Sequence, residues 1–129
     1  MLPGDFDAVV SCSVFEHLLG RRDVDEIIGL LEEKGTLCMH TLVCEEVPQD
    51  PNWFYLLGGH CTLWTNASMG LLFQQYGFVG CAYHIEARMW FFFKDRRRFE
   101  LLKERSPLIP GEWVFSDQFV DYWKQKPYR

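Results

Sequence analysis

Two rhythms of apolar and polar positions run along this chain, and each switch between them marks an element. Phe6, Ala8, Val9 and Val10 form a nearly continuous apolar run. That is the pattern of a strand buried on both faces, as in a parallel sheet covered by helices. The run stops at the small residues Ser11-Cys12-Ser13. From Asp23 the rhythm becomes helical: Val24, Ile27, Ile28 and Leu31 recur at i, i+3, i+4 and i+7. Asp23 is the expected N-cap, Glu26 completes a capping-box-like pair, and Lys34-Gly35 supplies a basic last turn and a left-handed stop. Residues 36–43 read as a second buried strand. Strand, helix, strand is a βαβ unit, expected to be right-handed and parallel.

Residues 44–63 lose both rhythms. Pro48, Asp50-Pro51-Asn52 and Gly58-Gly59 break them, and Trp53, Phe54 and Tyr55 add aromatic bulk, with Trp64 just beyond. An irregular loop this long is often functional. Two readings stand: a flap over a substrate, or a cover on an apolar sheet end. Thr65 or Asn66 caps the next helix, whose apolar positions are Met69, Leu72, Phe73 and Tyr76 and whose stop is Gly77. Residues 78–85 and 88–94 then form an antiparallel hairpin around Glu86-Ala87. The run Met89-Trp90-Phe91-Phe92-Phe93 is apolar on both faces and therefore central. A charged helix over residues 95–105 follows, with Phe99, Leu101 and Leu102 as its apolar residues. Ser116 is read as the cap of a last short helix with Phe119, Val120 and Trp123 as its stripe. Residues 1–94 are thus one α/β unit, and residues 95–129 a helical extension packed on it.

Composition narrows the class. The chain has 129 residues, 48% of them apolar and 16% aromatic, which fits a folded domain with a core. Its net charge of −5 argues against nucleic acid as the main partner. No apolar run reaches the roughly 20 residues that span a bilayer. No basic-then-apolar leader opens the chain, so a cytoplasmic protein without a membrane partner is expected. The five cysteines, Cys12, Cys38, Cys44, Cys61 and Cys81, form no C-x-x-C pair and read as free thiols.

The segment FDAVVSCSVFEHL resembles the fourth strand and following loop of class I S-adenosylmethionine-dependent methyltransferases, in the subgroup with an EH loop. Leu31, Gly35 and Leu37 are similar to that family's entry to its fifth strand. His60, Trp64, Thr65, Ser68, Leu72, Gly77 and Phe78 are similar to its later His…(Phe/Trp)-Thr…Ser…Leu…Gly-Phe stretch. The resemblance covers residues 3–94. It implies a partial Rossmann-like methyltransferase sheet of about four strands, a parallel pair plus a C-terminal antiparallel hairpin, with flanking helices. The implied order is fourth, fifth, seventh, sixth. It also implies methyl transfer from S-adenosylmethionine to a small-molecule acceptor. The family's Gly-rich cofactor loop and acidic ribose ligand would precede the first strand here, and Gly58-Gly59 is not that motif. Two forms follow: a segment of a longer enzyme, inactive by itself, or a half-domain completed by another chain.

Ligands in open α/β sheets sit at the carboxyl ends of strands, so residues 11–17 are the expected site. The resemblance implies that Cys12, Ser13 and Val14 approach the cofactor. His17 and His60 are the candidate bases for a protic acceptor. Glu16 is expected to make a local cap or salt bridge. His40 and His84 read as satisfied strand residues, and the spacing of the four histidines indicates no metal site. Arg96-Arg97-Arg98 reads as a solvated face. In the implied fold the outer edge of the first strand is apolar and unpaired, which predicts self-association or a partner chain there. A non-catalytic interaction module is the alternative to an enzyme. It would use that edge and the aromatic tail, Trp113, Phe119, Tyr122 and Trp123.

Overall fold

A mixed five-stranded sheet organises the chain. The structure is a computed structural model, and it describes residues 3–56 and 58–121. Strands β1 (Phe6–Cys12) and β2 (Leu31–His40) run parallel and are joined by helix α1 (Arg21–Ile28). Two short strands, β3 (Val43–Cys44) and β4 (Trp64–Thr65), pair with each other at either end of the long loop. Helix α2 (Asn66–Gln75) leads to the hairpin β5 (Gly80–His84) and β6 (Met89–Phe93). Helix α3 (Arg96–Arg105) and strand β7 (Trp113–Ser116) complete the described chain. The sheet order is β1-β2-β6-β5-β7. The last hairpin strand therefore inserts antiparallel between β2 and β5, where an apolar strand with neighbours on both sides belongs.

The sheet separates two apolar layers. On one face α1 contributes Val24 and Ile28, and α2 contributes Met69, Leu72 and Phe73. They pack on Leu37, Met39, Cys81, Tyr83, Trp90 and Phe92, all buried. Thr65 caps α2 through a capping box with Ser68, whose N–H donates to the Thr65 hydroxyl at 3.1 Å. On the other face α3 presses Phe99 onto Ala82 and Phe93. Gly80 permits that approach, because a Cβ there would lie 2.4 Å from the Phe99 ring. Asp95 caps α3. Arg98 ties it to β2 by donating to Glu32 Oε1 at 2.8 Å, and Arg96 pairs with Glu100 and Asp117. Arg96 and Arg97 are exposed, as a solvated face requires, and half-buried Arg98 departs from that expectation by tying α3 to β2.

Several elements depart from the sequence expectation. β1 is an edge strand, and only Val9 and Ser11 turn inward; Phe6 and Val10 are 38% and 66% exposed. Among the described residues the sheet has five strands, not about four, because residues 113–116 add a strand beside β5. Ser116 caps no helix in the described residues. Its hydroxyl accepts the Gln118 N–H at 3.0 Å, a local turn that competes with helix initiation. Trp113 packs on His84 and Phe91, and Phe119 stacks on Trp90, so both belong to the domain rather than to a free arm. Tyr122 and Trp123 lie outside the described residues. α1 begins after Gly20, two residues before the expected cap Asp23, whose carboxylate instead accepts the Leu19 N–H at 2.8 Å. The helix stops at Gly29, and residues 31–34 already belong to β2.

Candidate functional site

β1 ends at Cys12, and the backbone turns sharply at Ser13, whose φ is 55°. The Ser13 N–H closes that turn on His40 O at 2.8 Å, at the end of β2. Cys12, Ser13 and Val14 are all exposed there. A single 3-10 turn, Phe15–His17, follows, and its burial is graded: Phe15 is anchored in the core, Glu16 is buried, His17 faces out. The second half of the long loop is strapped onto this turn. The Cys61 and Thr62 N–H groups both donate to Glu16 O, at 2.8 and 3.0 Å. The Thr62 hydroxyl donates to Leu18 O at 2.5 Å, and the Trp64 indole N–H donates to Phe15 O at 3.1 Å. Trp64 packs on the core and Tyr55 is buried, whereas Phe54 projects outward, so the loop combines a cover with an exposed aromatic.

The strap assembles a polar cluster. The Glu16 side chain, 4% exposed, makes neither the cap nor the salt bridge expected of it. Its Oε2 accepts the Thr41 hydroxyl at 2.7 Å, and Thr41 is itself 3% exposed. His17 and His60 come together with ring centroids 4.9 Å apart, and the Tyr55 ring packs on His60 at 4.2 Å. His17 Nδ1 lies 2.9 Å from Gly59 O, and His60 Nδ1 lies 2.5 Å from Tyr55 O. A carbonyl oxygen can only accept, so both Nδ1 atoms carry the hydrogen and both Nε2 lone pairs are free when the rings are neutral. Burial pushes the Tyr55 hydroxyl above its ordinary range; a hydrogen bond with Thr41 opposes this and the nearby Glu16 charge adds to it.

A cavity of about 160 Å³ opens beside the cluster, between the ends of β1 and β2 and the β5–β6 turn. Its walls include Ser13, Glu16, His40, Thr41, Tyr55 and Arg88. His84 is satisfied at both ring nitrogens, by Pro110 O at 2.8 Å and by the Ala87 N–H at 3.0 Å, whereas among the described residues His40 is held at Nδ1 alone, 2.7 Å from Arg88 O. A second, more apolar cavity of about 280 Å³ lies between α1 and α2, walled by Leu18, Val24, Trp64, Leu72 and Tyr76. All five cysteines are free thiols, and burial together with Cys12 raises the Cys38 thiol to about 11.

The structure therefore brings His17 and His60 together, places Ser13 in the wall of the adjoining cavity, and leaves Cys12 and Val14 exposed and outside that wall. Thr41 carries no sequence expectation, and Tyr55 only that of the aromatic loop as a flap or a cover. Neither stands in a motif, and their only sequence signal is a polar residue at a strand end and an aromatic in a long loop. Comparison with protein-family models, with curated proteins and with solved structures finds no match to this chain. Among the described residues no helix is long and apolar enough to cross a membrane.

Proposed function

We propose that this chain forms the acceptor-side half of an S-adenosylmethionine-dependent methyl-transfer site. The observation that carries the reading is the order β1-β2-β6-β5 with β6 antiparallel between its neighbours, the arrangement that the resemblance implies for the last four strands of the sheet. The exposed residues Cys12, Ser13 and Val14 at the carboxyl end of β1 support it, because cofactors of α/β sheets bind at that end. The cofactor cradle would come from a complementary half-sheet seated on the free edge of β1, in the same chain or in another. Methyl transfer is a direct displacement, so the protein acts mainly by aligning donor and acceptor. Where a small-molecule acceptor carries a proton, the Nε2 atoms of His17 and His60 are the available bases.

The test is a titration with S-adenosylhomocysteine followed by backbone amide NMR, which registers weak binding to half a site. Saturable shifts at Cys12, Ser13 and Val14 are expected at millimolar ligand. Shifts elsewhere only, or none at that concentration, would falsify the assignment of these residues to the cofactor.

The exposed Phe6 and Val10 on an edge strand favour a second reading, a non-catalytic interaction module built on the same sheet. In that case the concentration-dependent shifts fall along β1, and the residues 12–14 ignore the ligand.

A further inference from the structure

We propose that Glu16, His17 and His60 bind one divalent transition-metal ion. The three residues offer one ligand atom each, all within 4.8 Å of one another. The inference rests on these side chains and not on the methyl-transfer reading. Ligand atoms of a shared ion bound at about 2.0–2.2 Å stand roughly 3–3.5 Å apart, so the triad has to close by about 1–2 Å. His17 is exposed and His60 half-buried, so the closing falls to the loop that carries His60 and to the exposed His17 side chain.

The surroundings of the triad carry the argument further than its spacing does. Metal-binding imidazoles almost always donate their second ring N–H to a carbonyl or carboxylate, which fixes the tautomer and aims the other nitrogen. Both histidines do so here, His17 to Gly59 O at 2.9 Å and His60 to Tyr55 O at 2.5 Å. The carboxylate is oriented in the same way. Thr41 donates to Oε2 at 2.7 Å, and among the described residues no donor is bonded to Oε1 of this buried side chain. Each of the three side chains thus has one atom held by the scaffold.

Two imidazoles and one carboxylate make a borderline donor set that suits Zn²⁺, Co²⁺ or Fe²⁺; Mg²⁺ and Ca²⁺ prefer oxygen alone. Three protein ligands leave coordination positions open for water or a substrate oxygen. Of the three, Glu16 also lines the 160 Å³ cavity, so one side of the carboxylate borders a space that can admit a small ligand.

The experiment titrates the purified chain with Zn²⁺ by calorimetry and with Co²⁺ by visible absorption. One equivalent of either ion is expected, with no competition from millimolar Mg²⁺. His17→Ala and His60→Ala should each weaken Zn²⁺ binding at least tenfold while circular dichroism shows the metal-free chain still folded. Three results would overturn the site: no binding, affinity unchanged in both variants, or an intense thiolate-to-cobalt band that puts the ion on Cys12 or Cys61. S-adenosylhomocysteine binding is measured separately on metal-free chain, so failure of one reading leaves the other standing.

Discussion

The face of the sheet that carries α3 is built in two ways. Over β6, β5 and β7 it is roofed: Phe91, Phe93, Ala82 and Phe115 meet Phe99 and one another. The register continues the same face onto β2 and β1, where Cys38 lies beside Phe91 and Val10 beside Cys38. There Val10 and its face neighbours Phe6, Ala8 and Cys12 are exposed. One sheet therefore has an end covered on both faces and an end bare on the α3 side. The candidate site hangs on the second. Segments used for binding tend to come from the less stable part of a fold, and this molecule follows that logic.

Substitutions at the two ends should separate them by size of effect. Phe92 is fully buried and its ring meets Phe73 at 5.3 Å and Phe78 at 5.4 Å. Phe92→Ala should cost about 3–5 kcal/mol in denaturant unfolding. A loss below about 1 kcal/mol would move the weight of the core elsewhere. Thr41→Val keeps the shape but strips Glu16 of its hydroxyl donor. Roughly 1–3 kcal/mol of stability should go with it, read by the same unfolding curves. No change would mean that Glu16 has another buried partner ready. Val10→Lys should alter stability by no more than about 0.5 kcal/mol. Its effect belongs to sedimentation: the wild-type chain should self-associate as concentration rises, and the lysine should return it to monomer by charging the edge. A wild-type chain that stays monomeric at high concentration sinks the prediction.

What the sequence disclosed depended on how local the cause was. The β5–β6 hairpin, the Thr65 cap and the Asp95 helix start are set by neighbours a few residues apart, and all are where the pattern puts them. The end of α1 was obscured because Leu31 continues the helical series Val24, Ile27, Ile28 while already pairing with Phe6 as a strand residue. Gly35 looked like a helix stop. It is needed for a different reason, since a Cβ there would lie 2.9 Å from the Leu31 side chain. β7 is four residues long, too short for its alternation to stand out between Gly111 and Ser116. For the site, the turn carrying Glu16 and His17 was legible as the end of an apolar strand. Its union with Thr41, Tyr55 and His60 was not, because only the folded loop brings together residues so far apart along the chain.

The insertion of β6 between β2 and β5 has a consequence during synthesis. Met39 pairs with Trp90, so about 50 residues must be added after β2 before its partner exists. At the usual 5–20 residues per second, roughly 3–10 seconds pass with β2 open along one side. The ribosome thus presents an unfinished parallel pair, apolar and unfilled, to whatever waits at the exit. Nascent-chain chaperones that shield such edges should matter more for this protein than for a meander of equal length, whose strands meet in the order they are made.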